Sequence, residues 1–214
     1  MDIFETFFNQ ANTEKSGQMA AYMRNQFPFL GIPTPKRREI SKNYFKQNEV
    51  KQIDWAFIET CWQKEEREFQ YLAIDYLLYY RQLLDKKDLP KIQKLITEKA
   101  WWDSVDALNA IVRVLVLAFP ELKTTMLEWS TAENFWLRRV AILHQLLLKE
   151  RMDTTLLHQI LSNNLNQTEF FINKAIGWSL RDYSKTNPAW VTDFIQENKP
   201  QLSALSIREG RKYL

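Results

Sequence analysis

Apolar side chains recur along this chain three and four residues apart, as at Phe69, Leu72, Ala73, Tyr76 and Leu77, and again at Leu137, Val140, Ala141 and Leu148, with His144 and Gln145 on the same stripe. That interval lays one apolar face along an α-helix and does not fit the two-residue alternation of a strand. Read from end to end, the pattern predicts about twelve amphipathic helices. Start signals mark several of them: "TPKRRE" with Thr34 as cap and Pro35 in the first turn, "NPAW" with Asn187 and Pro188, and "SIRE", where Ser206 and Glu209 have capping-box spacing. Short loops around Pro90, Pro120, Asp153 and Pro200 separate the helices, and no linker or low-complexity segment divides the chain.

The pattern also repeats. "FQYLAIDYLL", "VDALNAIVRVL", "LRRVAILHQL" and "INKAIGWSL" align on Ala73, Ala107, Ala141 and Ala175, each 34 residues after the last. A fixed small residue lets neighbouring helices approach closely, and a period of that size with two helices per unit is the signature of an α-solenoid. The expected fold is therefore all-α: one domain over residues 1–214 built of HEAT-like repeats, with the alanine-bearing helices lining a concave groove. Function is to be sought on the inward face of those helices.

Composition narrows the classes. Four glycines and seven prolines in 214 residues argue against hairpin architecture. The single cysteine, Cys61, cannot pair within the chain and sits in the apolar run "IDWAFIETCW", which predicts a buried reduced thiol and a cytoplasmic setting. The N-terminus has no basic n-region or long apolar core, and the longest purely apolar run, Val114 to Phe119, is too short for a bilayer, so no membrane attachment is expected. A formal charge of +3 falls short of a nucleic-acid footprint in bulk, so any basic surface must be local. Clusters occur at Lys36, Arg37 and Arg38, at Arg138 and Arg139, at Arg181 and Lys185, and at Arg208, Arg211 and Lys212. Cations in the first turn after Thr34 oppose the helix dipole, whereas terminal amides plus cations suit a phosphate.

The stretch "WWDSVD" carries the sharpest question. Trp102 and Asp106 are four apart and share a helix face if the helix has begun by Trp102; Lys174 and Trp178 do the same two repeats on, and Arg139 lies on the helix between them. An alternative makes Asp103 an N-cap with Asp106 completing a capping box. The equivalent helices start seven positions before their alanines, at Asn134 and Thr168, which favours Trp102 inside the helix. Trp136 and Phe170 share the repeat position of Trp102, so an aromatic there also has a packing reading. Basic groups beside stackable aromatics suggest nucleic acid. A carboxylate in such a groove repels phosphates, and reaction explains it better: breaking a glycosidic bond leaves an oxocarbenium-like sugar that a carboxylate stabilises, with no metal needed. His144 and His158 offer no metal-ligand spacing, and no phosphate-loop, dinucleotide or nucleophile-elbow motif is present.

These residues resemble the AlkD-like DNA glycosylases, bacterial HEAT-like-repeat enzymes that excise alkylated purines. The likeness runs over nearly the whole chain, through "YMRNQFPFLGIPTPKRRE", "EREFQYLAIDYL", "WWDSVD", "WLRRVAIL", "FFINKAIGWSLRDYSKTNP" and "LSIREGRKYL". The resemblance implies a monofunctional, cofactor-free glycosylase acting on double-stranded DNA that contains N3-alkyladenine or N7-alkylguanine, without extruding the lesion into a pocket; a monomer is the default expectation. It implies that Asp106 is the catalytic acid, that Trp102 and Trp178 contact the lesion's deoxyribose, and that Arg139 binds a phosphate beside them. Tyr22, Thr34, Arg38 and Arg181 match further positions around the DNA backbone, and Lys174 joins them on the same groove. Pro33 replaces a polar residue of the family pattern, and "ALNAIVRVLVLAF" after Asp106 lacks the family's Pro and Gly. The rival expectation is a non-catalytic helical-repeat protein that binds DNA or another protein.

Overall fold

A computed structural model describes residues 2–214. Among the described residues there are thirteen α-helices and no strands, so the fold is the all-α helical-repeat class that the periodicity predicts. The chain divides into two compact units, Met1–Asp85 and Lys86–Leu214.

The first unit holds α1 (Ile3–Phe8), α2 (Thr13–Tyr22), α3 (Thr34–Gln47), α4 (Trp55–Gln63) and α5 (Arg67–Tyr79). Its core is aromatic: Phe7 stacks on Phe69, and Phe45 and Phe57 pack on Tyr76. Between α2 and α3 the chain must turn sharply, and one buried acid organises the turn. Glu68 of α5 accepts hydrogen bonds from the backbone N–H groups of Leu30 (2.9 Å), Gly31 (2.8 Å) and Ile32 (3.1 Å). Gly31 has φ +87°, and a Cβ there would lie 2.1 Å from the Asn12 carbonyl oxygen, so only glycine lets the loop pass this close to α2. Cys61 is buried as expected, and burial pushes its thiol up, which keeps it protonated and unreactive.

The second unit holds α6 (Leu89–Thr97), α7 (Trp102–Ala118), α8 (Lys123–Trp129), α9 (Phe135–Leu143), α10 (Thr154–Ser162), α11 (Phe170–Tyr183), α12 (Pro188–Glu197) and α13 (Ala204–Gly210). Helices α7, α9 and α11 pack side by side, and α13 packs on α11. Ala141 and Ala175 are fully buried on α9 and α11; Ala107 on α7 is partly buried. Buried apolar residues such as Leu108, Ile111, Val140, Ile172 and Leu180 fill the space between, each stabilising by about 1.5–3 kcal/mol.

The sequence period reappears as a set of cross-links. Asn109 donates to the Leu143 carbonyl, Arg113 to that of Leu146, Asn164 to that of Ser130 and Ser206 to that of Asn173, over separations of 34, 33, 34 and 33 residues. Each ties one repeat to the next through a side chain bonded to a main-chain carbonyl.

Several predicted helix starts shift. Asn134 and Asn187 cap α9 and α11's neighbour α12 as read from the sequence. Thr34, however, is the first helical residue of α3, with Pro33 at the cap position and no side-chain cap bond. The cap before α11 is Glu169, not Thr168, and α13 is capped by Ser203, whose Oγ accepts from the Ser206 N–H at 3.0 Å; Ser206 is the third helical residue.

Candidate active site and nucleic-acid interface

At the start of α7 the chain settles the two readings of Asp106. Trp101 is the N-cap, extended at φ −153° and ψ 162°, and makes no side-chain cap bond; its ring packs edge-on against Trp136 and Phe171. The helix therefore opens at Trp102, with Asp103 as the acid of its first turn, where it favours the dipole. Trp102 and Asp106 lie one turn apart on one face, and Asp106 takes no part in capping.

Its partner is Arg139 of α9. Nε donates to Oδ1 and Nη2 to Oδ2 of Asp106, both at 2.8 Å, while Nη1 donates to the Phe171 carbonyl at 2.6 Å. The guanidinium is 2% exposed and the Asp106 side chain 26%, so a buried fork presents a carboxylate that solvent still reaches. In this structure Arg139 aims Asp106, with the carboxylate and the Phe171 carbonyl together engaging all three of its nitrogens from below the surface. Such a fork is geometrically selective, since planar guanidinium and carboxylate groups match in two parallel bonds.

Trp178 of α11 stands against the same arginine, with the Arg139 guanidinium carbon 5.2 Å from its ring centroid. Lys174 at 5.8 Å and Arg181 at 5.9 Å complete three cations around that indole. The sequence reading missed what holds the last two. Glu209 of α13 accepts from Lys174 Nζ at 2.7 Å and from Arg181 Nη1 at 3.0 Å. The hydrogen bond from Lys174, ahead of burial working the other way, keeps the Glu209 carboxyl below its ordinary range. Gly177 makes the pairing reachable: a Cβ there would lie 2.6 Å from Glu209 Cβ. "SIRE" thus lies inside α13 and supplies, through Glu209, the acid that positions Lys174 and Arg181.

The remaining candidates lie in the first unit. Tyr22 ends α2 with 72% of its surface exposed, followed by Arg24 and Asn25 in left-handed conformations. Thr34 and Arg38 are exposed in the first two turns of α3. Arg37 between them does not belong to a phosphate cluster: it is buried, ion-paired with Asp75 of α5 and set 4.8 Å over the Tyr71 ring. Arg208, Arg211 and Lys212 at the C-terminus are exposed, and Lys185 lies over the Tyr213 ring. Among the described residues no three His, Cys, Asp or Glu side chains converge as metal ligands would, and no helix is long and apolar enough to cross a membrane.

Chemically, the second unit offers one carboxyl group fixed from beneath by an arginine, an indole against that arginine and a screened pair of cations. The family model for DNA alkylation repair enzymes matches residues 3–214. A structure from Enterococcus faecalis, described as a predicted DNA alkylation repair enzyme, is 43% identical and superposes with a TM-score of 0.89 over 96% of this chain and 97% of that one. AlkD2 of Streptococcus mutans superposes at 0.65 with 15% identity, covering 93% of this chain and 99% of its own. The protein smu.31 of the same species gives 0.64 and 15%, over 84% and 92%. The last two share the fold. No curated protein matches the chain in sequence.

Proposed function

The chain belongs to the family of DNA alkylation repair enzymes, and from that premise we propose that it hydrolyses the N-glycosidic bond of cationic alkylpurines in duplex DNA. The observation that carries the reading is the Asp106–Arg139 fork: a carboxylate held in one orientation yet open to solvent.

Alkylation at N3 of adenine or N7 of guanine puts a positive charge on the base, so the base leaves as a neutral group with the bonding electron pair. The deoxyribose left behind gains oxocarbenium character, and water adds at its anomeric carbon. Asp106 serves this reaction twice, by attracting the developing sugar cation and by accepting from the incoming water a hydrogen bond and then the proton, which it passes on to solvent. At ~4 Å and an effective dielectric near ~20 the attraction is about 4 kcal/mol, roughly three powers of ten in rate. Arg139 occupies one lone pair on each oxygen, and the two that remain are free to meet water and sugar. Trp178, and Trp102 one turn before Asp106, supply faces on which a sugar cation is stabilised further. Lys174 and Arg181 around Trp178 are assigned to the DNA backbone, as are Tyr22, Thr34 and Arg38 of the first unit. The scheme uses an acid and water and calls on no metal.

Release of 7-methylguanine from methylated duplex DNA tests this directly. Wild type should release the base and Asp106→Asn should be slower by about two to three powers of ten, with DNA binding retained. Equal release by the two removes Asp106 from the mechanism. Binding without release by either leaves a helical-repeat DNA-binding protein.

A further inference from the structure

Away from Asp106, the second unit contains a cavity of about 140 Å³ lined by Arg113, Lys123, His144, Gln145, Arg151 and Asp153, with Val116, Leu117, Pro120 and Leu148 as its apolar wall. Three cations against one acid leave it net positive. Lys123 is paired with Asp153 at 2.8 Å, and Arg113 donates to the Leu146 carbonyl at 2.6 Å with Asp182 in its field. The exposed Arg151 side chain has no ionic or hydrogen-bonding partner among the described residues. The segment that carries His144 and Arg151 is held in an unusual path, with Leu147 at φ 66° and Lys149 at φ 51°; non-glycine residues stay there only where their surroundings enforce it.

His144 determines what the cavity would accept. The residue is 2% exposed, and its Nδ1 lies 2.6 Å from the Ala141 carbonyl. A carbonyl oxygen only accepts, so Nδ1 carries the proton. Nε2 has no partner. Burial pushes the imidazole down to about 4, so near neutral pH Nε2 bears a lone pair and is an acceptor. A ligand that satisfies both the cations and this nitrogen must be an anion that still carries a hydroxyl.

We propose that this cavity binds a protonated phosphoryl group: inorganic phosphate, or the monoanion of a phosphate monoester, and not a backbone diester. A diester has no P–OH to donate to Nε2, whereas inorganic phosphate keeps one throughout the neutral range. The volume suits one phosphoryl group with a few waters and leaves a nucleoside outside.

Calorimetric titration of the full chain near neutral pH, at matched ionic strength, compares sodium phosphate with sodium sulfate. Sulfate has the same shape but no proton, so facing Nε2 it leaves lone pair against lone pair, and it should bind at least about tenfold more weakly. Arg151→Gln, at an exposed turn where folding is unaffected, should weaken phosphate binding by about tenfold or more while the unfolding temperature stays put. The His144 Nε2 resonance should move with phosphate and not with sulfate. A nucleoside 5′-monophosphate separates the sources: binding like phosphate assigns monoesters as well, and none assigns the free ion alone. Equal affinity for phosphate and sulfate, undiminished affinity in Arg151→Gln, or no binding of either ion overturns the proposal.

Discussion

Arg139 and Asp106 lie 33 residues apart and meet atom for atom, and that pairing makes the site both specific and brittle. Arg139→Lys keeps the charge but replaces a two-pronged fork by a single point donor, and the bond to the Phe171 carbonyl goes with it. The expected result is base release slower by tenfold to a hundredfold in a protein that still folds, with the melting temperature lower by several degrees; an unaffected rate would mean that orientation of the acid is immaterial. Glu209 invites the opposite experiment. It pairs with both Lys174 and Arg181, so on the proposed function DNA phosphates have to compete with it for the two cations. Glu209→Gln should tighten binding to undamaged duplex and steepen the dependence of log K on log salt by about one to two, read by fluorescence anisotropy across a salt series. An unaltered slope would show that the two cations do not face DNA. Asp106 and Trp178 stand out in the sequence because each lies four residues from a companion, Trp102 and Lys174, on one helix face. Arg37 could not, since its partner Asp75 is 38 residues away and nothing local distinguishes a buried arginine from an exposed one.

Helix boundaries show the same division between local and distant causes. Asn187 and Asn134 were legible because an N-cap acts on the amide two or three residues ahead, a relation contained in the sequence itself. Ser206 was misassigned for the opposite reason: two serines three apart both fit a cap, and what selects Ser203 is that Ser206 Oγ already donates to the Asn173 carbonyl of α11. Helix α7 runs unbroken from Trp102 to Ala118, as the absence of Pro and Gly in that stretch allows, so Asp106 and Arg113 sit on one continuous helix with Arg113 two turns further along. The contact between α11 and α13 depends on Gly177. In Gly177→Ala the new methyl meets Glu209 Cβ at 2.6 Å and the Ser206 carbonyl oxygen at 3.3 Å, so α13 must shift. A loss of roughly 1–3 kcal/mol in urea unfolding is expected, together with weaker screening of Lys174 and Arg181. Stability equal to wild type would show that α13 yields without cost.

On the scale of the molecule, the 34-residue period was the strongest sequence signal, because a repeat fold writes one packing requirement into the chain several times over, whereas the cavity near His144 left no trace there. His144 occupies an apolar position on the stripe of α9 and reads as a packed residue, which it also is. Its burial couples the fold to pH. The unfolded chain takes up a proton near 6.5 but folded His144 only at about 4, so between those values the unfolded state binds more protons and stability falls as pH falls; above 6.5 the contribution is fully present. The interval corresponds to about 3 kcal/mol in all, and to about 2 kcal/mol between pH ~7 and pH ~5. Asp153 and Glu209 are held below the ordinary carboxylate range by hydrogen bonds from Lys123 and Lys174, so their contributions are lost at lower pH still. In the first unit Asp75 is raised by burial and works in the opposite sense at the acid end. Urea midpoints measured near pH 7 and pH 5 should therefore fall for wild type and converge for His144→Gln, which cannot take up a proton. If both proteins lose stability equally, the acid sensitivity belongs to the carboxylates and not to the buried imidazole.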